Sequence, residues 1–295
     1  MATFHAGELA VQARMGQAHI AARVGRMIQA EIPEVAADFL AAQPMVVLAA
    51  ADRAGRMWAS QLAGPPGFAH AVDDETLALT AELAPRDPLR EALDGSARVG
   101  MIALQPQRRR RIRFNGRSDA APGGLRITTD QVYANCPKYI SRRQLTAYRP
   151  AEAAPIRRGP ELDAAQQALI TAADAFFVAS ADAAGHADAS HRGGNPGFLR
   201  VLSPTRLRWP DYAGNSMFMT LGNLAVDPRC GLLVPDWASG VLLQLTGTAE
   251  LNWESGTFAP GAQCSIDFTV TEVVESRGPL RWGPPEFSPV NPPAE

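Results

Sequence analysis

Three segments of the chain gather side chains able to hold an anion or move a proton. The densest is Asp188-Ala-Ser-His-Arg-Gly-Gly-Asn-Pro-Gly-Phe198. It sets the Ser190 hydroxyl, the His191 imidazole and the Arg192 guanidinium at the end of an expected strand. Gly193 and Gly194 follow, and residues without a Cβ let backbone approach a ligand closely. Arg192 carries the planar fork that suits phosphate. A second segment, residues 210–223, reads PDYAGNSMFMTLGN. It predicts a helix over 217–226 capped by Asn215 or Ser216, whose free N–H groups could hold an anion. Thr220 and Asn223 then lie a turn apart on one face. The third, residues 135–143 (NCPKYISRR), clusters Lys138, Arg142 and Arg143 beside the Tyr139 ring. Arg108–Arg111 and Arg113 belong to a nearby strand. Pro137 next to Cys136, with no evident base, makes that cysteine a buried small residue rather than a nucleophile.

These segments sit in a chain that contains one design twice, about 130 residues apart. Asp52/Asp182, Gly55/Gly185, Ser60/Ser190, Gly64/Gly194, Pro66/Pro196, Gly67/Gly197 and Phe68/Phe198 coincide without a gap. After a one-residue slip, Leu93/Leu224, Arg98/Arg229, Gly100/Gly231 and Gly116/Gly247 follow. A period this long marks a duplicated domain, since solenoid units repeat every 20–50 residues or so. The shared residues are what the fold requires. His191 and Arg192, which face Gln61 and Leu62 in the first copy, are what one copy has in addition.

The 295 residues accord with two domains. At 46% hydrophobic, 20% charged and net charge −2, the chain has an ordinary globular balance that gives no reason to expect nucleic acid or membrane as a partner. No apolar run of membrane-spanning length and no basic leader pattern occur, so a cytoplasmic location is expected. Three scattered cysteines form neither a disulfide framework nor a zinc pattern. Lys138 is the one lysine among 28 basic residues, a bias under which a surviving lysine could be held by chemistry.

Hydrophobic patterning predicts an amphipathic helix over 5–30, ended by Pro33. The first copy then shows strands at 45–51, 57–62, 76–80, 99–104, 110–115 and 125–133. A helix is expected from Asp87, as N-cap with Pro88 following, and a basic helix over 137–145. The second copy repeats the order at 175–181, 187–191, 206–209, 231–234, 241–251 and 264–274. The expected division is 1–34 helical segment, 35–147 first barrel, 148–162 linker, 163–276 second barrel and 277–295 Pro-rich tail. Six short strands with one helix between the third and fourth suggest a small antiparallel barrel rather than a Rossmann sheet.

The stretches SHRGGNPGF, LRWPDYAGN and RCGLLVP resemble the pyridoxamine 5′-phosphate oxidase-related, FMN-binding split-barrel proteins. NCPKY resembles their H-C-x-K-type ending, and the H-x-G-E start at His5–Glu8 is similar to a tandem two-barrel subgroup. The resemblance implies a mainly β fold of two tandem split barrels forming an intramolecular pseudo-dimer, with FMN at the interface. Ser190 and Arg192 match an S-P-R-G-D segment. Asn215, Thr220 and Asn223 match G-N-N-R-x-D-S-x-x-N, with Ser216 and Gly193 beside them. Met217 stands where that pattern has arginine, Met219 where it has aspartate, and His191 where it has proline. The phosphate grip is therefore expected from Lys138, Arg142 or the Arg108–Arg113 strand. The copies together imply one complete FMN site and one degenerate site per chain. An FMN-dependent oxidoreductase acting on a small-molecule substrate follows, with His191 as catalytic proton donor or hydrogen-bond partner near the flavin. A non-catalytic flavin-binding protein, and a haem-binding relative with His191 and His186 as ligands, are the alternatives. A homodimer is left open.

Overall fold

A computed structural model describes residues 4–134, 136–149, 157–254 and 258–293. Short helices α1 (Ala6–Arg14), α2 (Ala18–Val24) and α3 (Glu34–Ala41) lead into the first sheet. Its strands are β1 (Met45–Ala51), β2 (Met57–Ala63), β3 (Ala69–Ala71), β4 (Thr76–Leu79), β5 (Ala97–Gln105), β6 (Arg110–Ala121) and β7 (Gly124–Ala134). Between the copies run β8 (Leu145–Tyr148), β9 (Arg157–Gly159) and α4 (Ala164–Ala172). The second sheet holds β10 (Ala175–Ala181), β11 (Ala187–Gly193), β12 (Arg200–Ser203), β13 (Arg206–Tyr212), β14 (Arg229–Pro235), β15 (Val241–Asn252) and β16 (Ala262–Arg277). Helix α5 (Met219–Val226) lies between β13 and β14, and β17 (Leu280–Trp282) closes the series.

The sheets have the same strand order, β2-β1-β5-β6-β7-β4-β3 and β11-β10-β14-β15-β16-β13-β12, all antiparallel. The chain is thus two tandem split barrels. The repeated Asp-x-x-Gly has a local cause. Asp52 Oδ1 accepts from the Ala54 and Arg56 amides, and Asp182 Oδ1 from those of Ala184 and His186. Gly55 and Gly185 take φ of 78° and 82°, where a Cβ is unfavourable.

Each barrel has its own core, one around Trp58 and Phe114, the other around Trp209 and Phe268. A third apolar cluster belongs to both, packing Met45, Val47 and Met57 with Phe177, Ala179 and Leu233. The strand β1 can serve two clusters because MVVLAAA is apolar on both faces and buried from Met45 to Ala50. At the interface the barrels approach reciprocally. A Cβ on Gly100 would come 2.5 Å from Asp188 Cα, and one on Gly231 would come 2.7 Å from Trp58 Cα. These two glycines are repeat equivalents, so the contact has approximate two-fold symmetry.

Several expected elements differ. The single helix over 5–30 is broken at Gly16, whose φ of 65° ends α1, and Pro33 does not end a helix but precedes α3. Asp87 begins only a run of turns. Its carboxylate accepts from Leu89 N and also from Ser60 Oγ at 2.6 Å, which ties it to the sheet. No helix forms over 137–145: Tyr139 sits at φ 65° and Arg142 pairs its backbone with Glu286. The helix expected from Met217 starts at Met219, because Ser216 and Phe218 are left-handed at φ 65° and 58°. Asn215 instead accepts from Met217 N at 3.1 Å, capping the preceding turn. Helices α3 and α4 and the strands β3, β8, β9, β12 and β17 were not expected. Asn135 and residues 150–156 of the linker lie outside the described residues. The tail is held by contact, β17 pairing with β8.

Candidate functional site

Strand β6 carries Arg111, Arg113 and Asn115 at alternate positions, so all three share one face. That face meets the second barrel. Arg113 reaches Asp188 of β11 in a two-pronged ion pair, Nη1 lying 2.9 and 3.1 Å from the carboxylate oxygens. The Tyr133 hydroxyl and Asn115 Nδ2 also bond Asp188, at 3.2 and 3.1 Å. Arg113 and Asp188 are 8% and 2% exposed, so neither charge has water to fall back on.

One residue earlier on that face, Arg111 Nη1 lies 2.9 Å from His191 Nδ1 and 3.4 Å from its carbonyl. Among the described residues it has no carboxylate partner, and its Nε lacks a hydrogen bond. Burial, then the charges of Arg113 and Arg192, lower its affinity for the proton to a value of about 9. A guanidinium only donates, so His191 Nδ1 must accept and the ring is the neutral Nε2–H tautomer. Burial, followed by Arg111, Arg192, Arg143 and Arg113, keeps it neutral by holding its pKa well below the usual imidazole value.

Around this cluster the chain closes a small cavity of about 70 Å³, lined by Arg111, Arg113, Cys136, His191, Arg192 and the loop from Asp211 to Leu221. Arg192 is paired with Asp211, whose carboxylate is pushed up by burial. Three arginines and a histidine thus converge on a space fitting a phosphate-sized group, well below the roughly 300–1,000 Å³ of a whole small-molecule site. Unbonded Nε atoms of Arg111, Arg113 and Arg192 add unsatisfied donors. This is a cationic nest that calls for an anion.

The residues expected from sequence divide. His191, Arg192, Asn215, Ser216 and Thr220 line this cavity together. Ser190 stands behind it, fully buried, accepting from Thr220 Oγ1 at 3.0 Å. Gly193 serves a different purpose: a Cβ there would lie 1.9 Å from the Tyr139 carbonyl, so the glycine admits the exit segment of the first barrel. Tyr139 in turn bonds Ala213 O at 3.0 Å and stacks on Tyr212 with centroids 5.3 Å apart. Cys136 is half-buried against the arginines rather than buried. Lys138 does not line the cavity, and Arg142 is at the surface, paired with Glu286. Of the basic groups named for the phosphate grip, the structure brings Arg111 and Arg113. The repeat held the signal: their equivalents in the second copy are Leu242 and Gln244.

Asn223 faces the other way. Its amide bonds Ser180 Oγ and His5 Nε2, at 3.0 and 2.9 Å, and it borders a second cavity of about 720 Å³. Helix α1 brings His5 and Glu8 there through a tight crossing with α5, a Cβ on Gly222 meeting Glu8 Cγ at 2.4 Å. Glu8 is pushed up to about 8, chiefly by burial.

Among the described residues, the pseudo-symmetric position, where the second copy meets the first, has no counterpart of the cationic cluster. Gln244, at the position of Arg113, donates to Ala59 O, Ser60 Oγ and Asp87 at 3.0, 2.9 and 3.2 Å.

The fold is that of tandem split barrels with a composite cationic cluster, the first barrel supplying Arg111 and Arg113 and the second His191 and Arg192. Residues 162–273 match the family model described as Pyridoxamine 5'-phosphate oxidase, so the second barrel is similar to that family. Solved structures with similarity include HupZ of Group A Streptococcus, at 14% identity over 41% of this chain and 99% of that one, TM-score 0.34. An FMN-binding protein from Syntrophomonas wolfei matches at 10% identity over 37% and 82%, TM-score 0.27. HutZ, the heme storage protein from Vibrio cholerae, matches at 12% identity over 40% and 97%, TM-score 0.29. No curated protein matches the chain. Among the described residues no helix is long and apolar enough to cross a membrane.

Proposed function

We propose that the chain is an FMN-binding flavoprotein of the oxidoreductase class, with one flavin per chain and its phosphate in the arginine nest. The observation that carries this reading is Arg111, a buried guanidinium with no carboxylate partner among the described residues. An anion there would relieve the repulsion among Arg111, Arg113 and Arg192 and satisfy their free donors. FMN would supply the hydride or electron chemistry, and the protein its orientation and electrostatics. Neutral His191 can donate a hydrogen bond from Nε2 but carries no imidazolium proton, so its role is a hydrogen-bond partner rather than an acid. Because the enclosed space fits only the phosphate, the reading requires the loop at 212–218 to part around the ring system.

The charges weigh against haem. His191 has Nδ1 committed to Arg111 and sits among cationic side chains in a cavity of about 70 Å³, too small for a haem. His186, with Nδ1 on Asp182, borders the larger cavity beside Glu8, Asp130 and Asp188, a poor environment for haem carboxylates.

An absorbance spectrum of the purified protein, repeated after denaturation to count released flavin, tests the proposal. One FMN per chain is expected. A colourless protein that fails to take up added FMN overturns the reading, two FMN per chain overturns the single site, and a Soret band would replace flavin by haem. Reoxidation of the reduced flavin faster than that of free FMN separates an oxidoreductase from a flavin carrier.

A further inference from the structure

One wall of the small cationic cavity is residues 212–216, where the chain passes from β13 to α5. Ala213 and Gly214 are exposed, and Tyr212, Asn215 and Ser216 half-buried, so this wall is thin and has solvent on its outer side. Both its ends are fixed. Asp211 is buried and paired with Arg192. Met217 is fully buried against Ile28, Tyr133 and Met219, and its carbonyl accepts from Gln12 Nε2 of α1 at 2.9 Å. Between these ends the first barrel holds it: the Tyr139 hydroxyl donates to Ala213 O at 3.0 Å, and the Tyr139 ring stacks on Tyr212.

Backbone strain gathers at the same place. Among the described residues four non-glycines have positive φ, and three of them are Tyr139, Ser216 and Phe218, at 65°, 65° and 58°. This region is unfavourable for any residue with a Cβ and persists only where the surroundings impose it. For Tyr139 they do so through Gly193, which admits the Tyr139 carbonyl against β11. Ser216 stands one residue before the Met217 anchor, at the point where the wall would swing. Gly214 leaves the middle free to turn, since a Cβ there would meet nothing nearer than 3.9 Å.

We propose that residues 212–216 are a flap over the arginine nest, hinged at Gly214 and Ser216 and latched by Tyr139. With the flap shut, the space of about 70 Å³ among Arg111, Arg113, His191 and Arg192 takes a free oxyanion of phosphate size. With the latch released, it admits a phosphate monoester that carries a ring system. Only the identity of that larger ligand, FMN, rests on the reading above. Free phosphate binds the shut, major state, so its affinity is insensitive to how tightly the latch holds. FMN binds the open, minor state, so its association rate and affinity scale with the open fraction. Free phosphate and FMN compete for the same guanidiniums, and phosphate delays flavin loading by occupying the shut form.

The parent is compared with Tyr139→Phe, which keeps the ring and loses the hydroxyl, and with Ser216→Gly, which relieves the left-handed residue and steadies the shut form. FMN association, followed by stopped-flow fluorescence, should be about fivefold faster in Tyr139→Phe, for the loss of one neutral hydrogen bond. It should be about fivefold slower in Ser216→Gly. Calorimetry should find inorganic phosphate bound alike by parent and variants. Hydrogen exchange at the Met217 amide, whose acceptor is Asn215 Oδ1 of the flap at 3.1 Å, follows the flap without any ligand. It should quicken in Tyr139→Phe and slow in Ser216→Gly. FMN association unchanged by both substitutions overturns the flap, as does a phosphate affinity that shifts in step with that of FMN. Failure of millimolar phosphate to bind overturns the shut-state site. If FMN binds neither parent nor variants, the flavin reading falls, and exchange alone decides: identical Met217 rates in parent and variants then overturn the flap.

Discussion

Arg113 of the first barrel and Asp188 of the second form an ion pair that is buried, two-pronged and, among the described residues, shared by no other cation. Each side chain is the other's compensation. Arg113→Gln would leave Asp188 as a buried carboxylate with only Tyr133 and Asn115 as donors, a loss of about 3–5 kcal/mol by analogy with broken buried pairs. Asp188→Asn strands the guanidinium and should cost a similar amount. The double variant should cost less than the sum, and urea melts of the four proteins read that coupling directly. Additive losses would show that the pair does not join the barrels energetically.

Arg111 should behave in the opposite way. It is a buried charge without a counter-ion, so Arg111→Gln is expected to leave stability unchanged or raised in the ligand-free protein. If the proposed flavin phosphate occupies the nest, the same change would remove a charge-assisted contact to it, worth about 1.5–3 kcal/mol, or roughly 10- to 100-fold in FMN affinity. Arg142→Ala, whose side chain pairs with Glu286 at the surface, should leave FMN affinity as it was. Fluorescence titration with FMN and a thermal melt of each variant measure both quantities. Equal losses from Arg111→Gln and Arg142→Ala would move the phosphate elsewhere.

How far the sequence foretells this arrangement depends on whether the cause is local. Paired Asp52 and Asp182 turns, the apolar run of β1 and the coincidence of Ser60 with Ser190 follow from short-range rules, and the tandem barrels are legible from them. So is the SHRG segment, because His191 and Arg192 break the repeat. What was not legible is partnership across the interface. Arg113 reads as one more arginine in a basic run until β6 is laid against β11, and Lys138 is conspicuous in composition yet stands clear of the nest. The helices expected from Asp87 and over 137–145 failed for a related reason: Asp87 is pulled to Ser60 and Gln244, and Tyr139 to Ala213, by partners far along the chain.

The reciprocal glycines test the pseudo-dimer. Gly100→Ala and Gly231→Ala each place a methyl inside contact distance of backbone across the interface, at 2.5 Å from Asp188 Cα and from Met57 O. Overpacking of this kind costs about 1–3 kcal/mol. Gly95→Ala, where nothing lies within 4 Å of the new methyl, should be near neutral. Denaturant midpoints of the three variants decide it, and an equally mild effect at all three positions would argue against close approach of the barrels.

Glu8 gives the chain a pH signature. Between the ordinary 4.5 and about 8 the folded chain keeps a proton that the unfolded chain has released. Stability is therefore complete at acid pH with respect to this group and falls as pH rises through that window, by up to about 1.4 kcal/mol per pH unit. Glu8→Gln cannot lose that proton, so its stability should exceed that of the parent increasingly from pH 5 to 8 and run parallel to it outside the window. Melting both proteins across this range, without flavin, gives the difference curve. A flat difference would mean that Glu8 is ionised in the folded protein, and that burial against α5 does not hold its proton.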